Sequence, residues 1–172
     1  MPVLSRSEAR AFVERLRATG QTIVFTNGVY DLLHPGHVRY LQAARAEGDA
    51  LIVGVNSDRS VRALKGSHRP VHPEDERAEL IAALACVEAA VVFDEDTPQE
   101  IITALQPDVL VKGADWPLDQ IVGRSVVEAR GGRVVRVQVE PGHSSTQLIE
   151  RLRRAGSAAD RGDAPTADRA QG

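Results

Sequence analysis

At 172 residues the chain makes one ordinary domain with room for a buried core, and 42% hydrophobic with 26% charged residues is the balance of a globular protein. A net charge of −3 provides no bulk field for nucleic acid, and 3% aromatic residues are too few for a base-stacking platform. The single Cys86 excludes an internal disulfide framework, and no apolar run approaches the roughly 20 residues of a membrane span.

Ser5 or Ser7 is placed to cap a first helix running to about Leu16, with Ala9, Phe12, Val13 and Leu16 on one face and Gly20 ending it. Arg6, Glu8, Arg10, Glu14 and Arg15 break any apolar leader, so a cytoplasmic protein is expected. Strands are predicted at Thr22–Thr26, Ala50–Asn56, Ala89–Phe93, Val109–Lys112 and Arg133–Val139. They are short, rich in Val and Ile and nearly continuous in hydrophobicity, as parallel strands buried on both faces are. Helices are predicted at Gly36–Glu47, Pro73–Ala85, Pro98–Leu105, Leu118–Arg130 and Thr146–Arg154, with a shorter helical turn from Ser57-Asp58 to Leu64. The alternation implies an α/β fold: a doubly wound, five-stranded parallel sheet over residues 1–155. Such sheets bind ligands at the carboxyl ends of their strands, near the topological switch point. Residues 156–172 lack apolar periodicity and are expected to form a disordered tail.

The chemistry concentrates in Thr26-Asn27-Gly28-Val29-Tyr30-Asp31-Leu32-Leu33-His34-Pro35-Gly36-His37, between a strand and a helix start. Two histidines three apart there can turn ring N–H groups towards one small region. Gly36 lets an anion come close, Pro35 stiffens the turn, and the helix N-terminus favours negative charge. A triphosphate suits this arrangement better than zinc, which wants three or four ligands that the spacing does not supply. The bland alternative is one surface histidine and one capping histidine. Further along, Lys65 is a loop cation placed to close over phosphates. Arg77 offers either forked phosphate contacts or an exposed pair with Glu74 or Glu76. Lys112-Gly113 ends a strand, where ligands sit. Asp115 is suited to magnesium through water or to a sugar hydroxyl. Trp116 either walls a pocket or packs beneath its loop. Ser144, Ser145 and Thr146 open the last helix, where hydroxyls and free N–H groups cap the helix and bind phosphate together.

The stretch from Phe25 to His37 resembles the signature of the cytidylyltransferase-like nucleotidyltransferases, whose hallmark is His-x-Gly-His. Further runs extend the likeness over about residues 5–154: Gly54-Val55-Asn56-Ser57-Asp58, Leu64-Lys65-Gly66, Arg69-Pro70-Val71, Arg77-Ala78-Glu79, Phe93-Asp94-Glu95-Asp96-Thr97-Pro98, Pro107 to Gly113 and Ser144-Ser145-Thr146. These runs are most similar to the sugar adenylyltransferases that make ADP-heptose from ATP and D-glycero-β-D-manno-heptose 1-phosphate for lipopolysaccharide. Two positions depart from relatives. Val29-Tyr30 replaces a frequent Cys-Phe, so the Cys is not needed for chemistry. Val139-Glu140-Pro141 stands where glycerol-phosphate cytidylyltransferases carry an Arg.

The resemblance implies adenylyl transfer with Mg²⁺ riding on ATP. His34, His37 and Lys65 would be catalytic. Thr26, Asn27, Gly28, Tyr30, His34, Gly36, His37, Lys112, Gly113, Ser144, Ser145 and Thr146 would bind nucleotide. Asp31, Lys65, Arg77, Asp115 and Trp116 would bind the sugar phosphate. It also implies a homo-oligomer and, since many relatives fuse this domain to a sugar kinase that 172 residues cannot hold, a separate kinase. The rivals are a CTP-dependent transferase for glycerol 3-phosphate, an adenylyltransferase for pantetheine phosphate or a nicotinamide nucleotide, and a non-catalytic nucleotide sensor. A class I aminoacyl-tRNA synthetase shares the motif but needs a far larger chain.

Overall fold

The computed structural model describes residues 1–138, Ser145 and residues 148–150. Six parallel strands form one sheet: β1 (Val3–Leu4), β2 (Ile23–Gly28), β3 (Ala50–Asn56), β4 (Ala89–Phe93), β5 (Val109–Gly113) and β6 (Arg133–Val137). Their order is β1-β4-β3-β2-β5-β6. The sixth strand corrects the five-stranded expectation. With two residues, β1 is too short to show a pattern in sequence, and it gains its place by pairing Val3 with Ala90 and Leu4 with Val91. The numbering reverses direction between β2 and β5, which pair through Val24↔Val109 and Phe25↔Leu110. That is the switch point.

Helices cover both faces: α1 (Arg6–Ala18), α2 (Pro35–Arg45), α3 (Asp58–Lys65), α4 (Glu74–Ala82), α5 (Gln99–Leu105) and α6 (Arg124–Ala129). Ser5, not Ser7, caps α1: its hydroxyl accepts from Glu8 N, and Glu8 returns a carboxylate to Ser5 N at 2.8 Å. Successive β2 residues point to opposite faces, so Ile23 and Phe25 join Ala9, Val13, Ile101 and Leu105 in one core. Val24 joins Leu41, Ala44 and Ile81 in the other. All seven residues of β3 are buried, which explains the apolar run from Ala50 to Val55.

The helix predicted over Leu118–Arg130 is instead a 3₁₀ turn, Leu118–Gln120, followed by α6. Gly123 divides them at φ +87°, and a Cβ there would lie 2.5 Å from Ile102 Cδ1. The chain comes too close to α5 to continue as one helix. Ser145 and residues 148–150 are helical. Ser144, Thr146 and the expected tail at 156–172 lie outside the described residues.

Candidate active site

A cleft lies over the carboxyl ends of β2 and β5. It comprises two connected cavities of about 310 and 490 Å³ that share Asn27, Gly28, Val29, Tyr40, Lys65, Gly113 and Trp116. Gly28 forms the floor where the strand ends. A Cβ there would stand 3.0 Å from Tyr30 Cζ, so the glycine gives the Tyr30 ring its position. Tyr30 itself turns the chain at φ +48° and is 5% exposed.

Past that turn, His34 occupies the N-cap of α2 in extended conformation, Pro35 takes the first helical position and Gly36 is buried. The His34 and His37 rings stack with centroids 3.7 Å apart and 18° between planes. Tyr30 meets His37 edge-on at 5.3 Å. His37 Nδ1 is buried with no hydrogen-bond partner among the described residues. Burial first, then the nearby charges of His34 and Lys65, push the His37 ring down from 6.5 to about 4. Two aromatic bases held face to face cannot both charge cheaply. Both rings line the first cavity, and an arriving anion would supply the partner that His37 Nδ1 lacks among the described residues.

Lys65 ends α3, is exposed and lines both cavities. Lys112, in the second cavity, donates to Asn27 Oδ1 across the β2–β5 junction, and burial lowers its ammonium to about 8. Asp115 and Trp116 follow β5. Asp115 is exposed on the first cavity, and Trp116, 53% exposed, faces both, so it is not packed beneath the loop. Ser145 Oγ donates to Leu32 O at 3.0 Å and lines the first cavity beside the histidines.

Three expected ligand contacts are placed differently. Arg77 is fully buried and lines neither cavity. Its nitrogens donate to His72 O at 2.9 Å, Val29 O at 2.7 Å and Asp58 Oδ1 at 2.7 Å. Neither a phosphate contact nor an exposed pair with Glu74 or Glu76 describes it: it fastens the β2–α2 turn to α3 and to the loop before α4. Thr26 is fully buried below the cleft, its hydroxyl 2.8 Å from Tyr40 Oη. Burial pushes the Tyr40 phenol up to about 12. Asp31 borders the first cavity at 1% exposure, but both its oxygens already accept from Arg69 Nε, Val71 N and His72 N.

Sequence reasoning did not name Tyr40 or Arg69 as site residues, nor the second cavity's Asn56, Thr97, Pro98 and Gln120. Tyr40 was within reach, since it lies one helical turn after His37 and so shares its face. Arg69, Asn56 and Thr97 stand in runs that carry the resemblance, but nothing local marks them as facing a cleft.

Fold and cleft together define a doubly wound α/β protein whose histidine-lined site sits at the switch point. The chain belongs to the cytidylyltransferase-like family of nucleotidyltransferases, whose family model matches residues 25–151. It is 52% identical over 147 residues to "Bifunctional protein HldE" of Syntrophotalea carbinolica, covering 86% of this chain and 30% of that protein. It is 55% identical over 139 residues to the protein of the same name from Geobacter sulfurreducens, covering 81% and 28%. The chain therefore spans under a third of the length of these curated relatives. The crystal structure of the lipopolysaccharide core biosynthesis protein from Thermoplasma volcanium is 30% identical, with TM-score 0.58, covering 70% of this chain and 98% of that one. Pantothenate synthetase from Thermus thermophilus, at 17% identity and TM-score 0.60 over 90% and 70% of the two chains, shares the fold. Among the described residues no helix is long and apolar enough to cross a membrane.

Proposed function

We propose that the chain transfers AMP from ATP to D-glycero-β-D-manno-heptose 1-phosphate, releasing pyrophosphate. The observation that carries this is the stacked His34–His37 pair facing a cleft that also holds Lys65. The heptose acceptor is supported by the motif runs quoted above and by the likeness to the lipopolysaccharide core biosynthesis protein. Mg²⁺, a cytoplasmic setting, a homo-oligomer and a kinase activity that supplies the sugar 1-phosphate belong to the same proposal.

A phosphate oxygen of the sugar attacks the α-phosphorus in line. The new P–O bond forms as the α–β bridging bond breaks, and pyrophosphate leaves with the electron pair. Phosphate is already a competent nucleophile, so the protein's work is positioning and charge stabilisation. His34 and His37 donate ring N–H groups to the α- and β-phosphates as charge builds. Lys65, on a helix end, reaches the same oxygens from the other side. Gly28 and Gly113 let the ligand approach the backbone, Ser145 borders the phosphates, and Ser144 and Thr146 extend that border in the proposal. Lys112 with Asn27 charges the second cavity, where the other reactant's polar groups would lie.

Mg²⁺ typically keeps several waters and takes one or two carboxylates plus substrate phosphates. The donors present fit that habit. Among the described residues no cluster of three or more His, Cys, Asp or Glu could hold a metal, and Asp115 lines the first cavity without an ion pair. Asp115 would hold the ion, which supplies charge neutralisation on the triphosphate.

The test is pyrophosphate release with Mg²⁺, crossing ATP and CTP with the heptose 1-phosphate and glycerol 3-phosphate. Release with ATP and the heptose phosphate alone is expected. Release with CTP and glycerol 3-phosphate would overturn the substrates and keep the chemistry. Nucleotide binding without release under any pairing would favour a sensor.

A further inference from the structure

Arg69 lies in the loop between α3 and α4, after Gly66 and before Val71. Its side chain is 12% exposed and borders the cavity that holds the two histidines and Lys65. Only Nε is engaged, donating to Asp31 Oδ2; the two terminal amino groups make no hydrogen bond among the described residues. Asp31, at 1% exposure, accepts that contact together with Val71 N at 2.6 Å and His72 N at 3.3 Å.

A guanidinium held at Nε by a buried carboxylate is anchored at that end and keeps its two terminal amino groups uncommitted. Four N–H groups then lie at the wall of the cleft without a hydrogen bond to any described residue. Planar forked donors match the oxygens of a phosphate group. A carboxylate already accepting three donors has little capacity for a ligand hydroxyl or metal.

We propose that Arg69 is a phosphate-binding residue of the cleft and that Asp31 is the positioning residue that aims it. The inference rests on the reading above only for the ligand's identity. The phosphate oxygens belong either to the nucleoside triphosphate or to the sugar 1-phosphate. Asp31 thereby acts through Arg69 and not on the sugar.

Titration calorimetry on the full chain decides this, with inorganic tripolyphosphate, a non-cleavable ATP analogue and the sugar 1-phosphate as separate probes. Arg69→Lys keeps the charge and loses the fork. It should weaken at least one probe about 10- to 100-fold, the loss of hydrogen bonds to a charged group, while the unfolding midpoint holds. Loss with tripolyphosphate and the ATP analogue assigns the nucleotide's phosphates; loss with the sugar phosphate alone assigns the acceptor's. Asp31→Asn should weaken the same probe, and the double variant should add nothing further, because both act through one contact. Should Asp31→Asn fail to fold, the Arg69 Nε–H resonance of the wild type carries the test. A resolved, exchange-protected signal supports the pairing, and an averaged one overturns it. Arg69→Lys and Arg69→Gln proteins binding all three probes within about twofold of wild type would overturn the proposal, as would a wild type that binds none. Binding of tripolyphosphate by a wild type that transfers no nucleotide would end the functional reading and leave Arg69 standing.

Discussion

Nucleotide binding should take up a proton at His37. Burial, with the charges of His34 and Lys65, holds this ring at about 4 in the free protein against an ordinary 6.5. It is therefore neutral near pH 7. A triphosphate laid against the pair brings negative charge that favours the imidazolium. If binding returns the ring to an ordinary value, the bound state holds more protons than the free state at every pH between the two values. Affinity must then rise as pH falls through that window, by about tenfold from about pH 7.5 to about pH 5.5. Calorimetry in buffers of different ionisation enthalpy reads the uptake. His37→Gln serves as the control that subtracts the nucleotide's own titration. The free protein carries the complementary sign. Unfolded His37 protonates below 6.5 while the folded ring refuses until about 4. Stability is thus lost as pH falls between those values and is level below them, with a ceiling of about 3 kcal/mol that residual solvent access reduces. A His37 ring that titrates near 6.5 without ligand, or proton uptake that survives His37→Gln, would refute the reasoning.

Other outcomes follow from the same geometry. His37→Ala should lower kcat on the order of 10²–10³-fold with an unchanged circular dichroism spectrum, the cost of losing a transition-state donor; near-wild-type turnover would remove His37 from the mechanism. Arg77→Met keeps much of the buried stem but strips the donors from Val29 O, His72 O and Asp58. It should cost about 3 kcal/mol in urea unfolding, and a loss below about 1 kcal/mol would show that water replaces the guanidinium. Trp116 is the chain's one tryptophan and lies exposed on both cavities. Its fluorescence should change on adding ATP analogue or sugar phosphate, and silence with both would place the ligands away from it.

The architecture was legible where burial is symmetrical. β3 and β4 span the residues expected, because strands covered on both faces leave uninterrupted apolar runs. β1 was invisible, since two residues carry no period and only the β4 edge makes them a strand. The split at Gly123 depended on Ile102, a contact between residues that no local pattern joins. At the site, the histidine pair could be read because its chemistry is packed into four consecutive residues at a helix start. Arg77 could not: its orientation is decided by Val29, 48 residues away, and Asp58, 19 away. A local reading weighs an arginine by its type and its helix neighbours. The fold weighs it by which carbonyls need a donor. Asp31 and Arg69 were obscured for the same reason, 38 positions apart and joined only by the tertiary structure.

The reversal of strand order between β2 and β5 also has a meaning in time. β1, β4, β3 and β2 are contiguous in the sheet, and all four are complete by Phe93. A chain emerging from the ribosome can thus assemble two-thirds of its strands, both histidines and Lys65 while β5 is still unmade. The partner of Asn27, Lys112, is 85 residues later in the chain and arrives only with that next strand. Half of the cleft waits for the other half, so recovery of activity during refolding should come no earlier than the docking of β5 on β2.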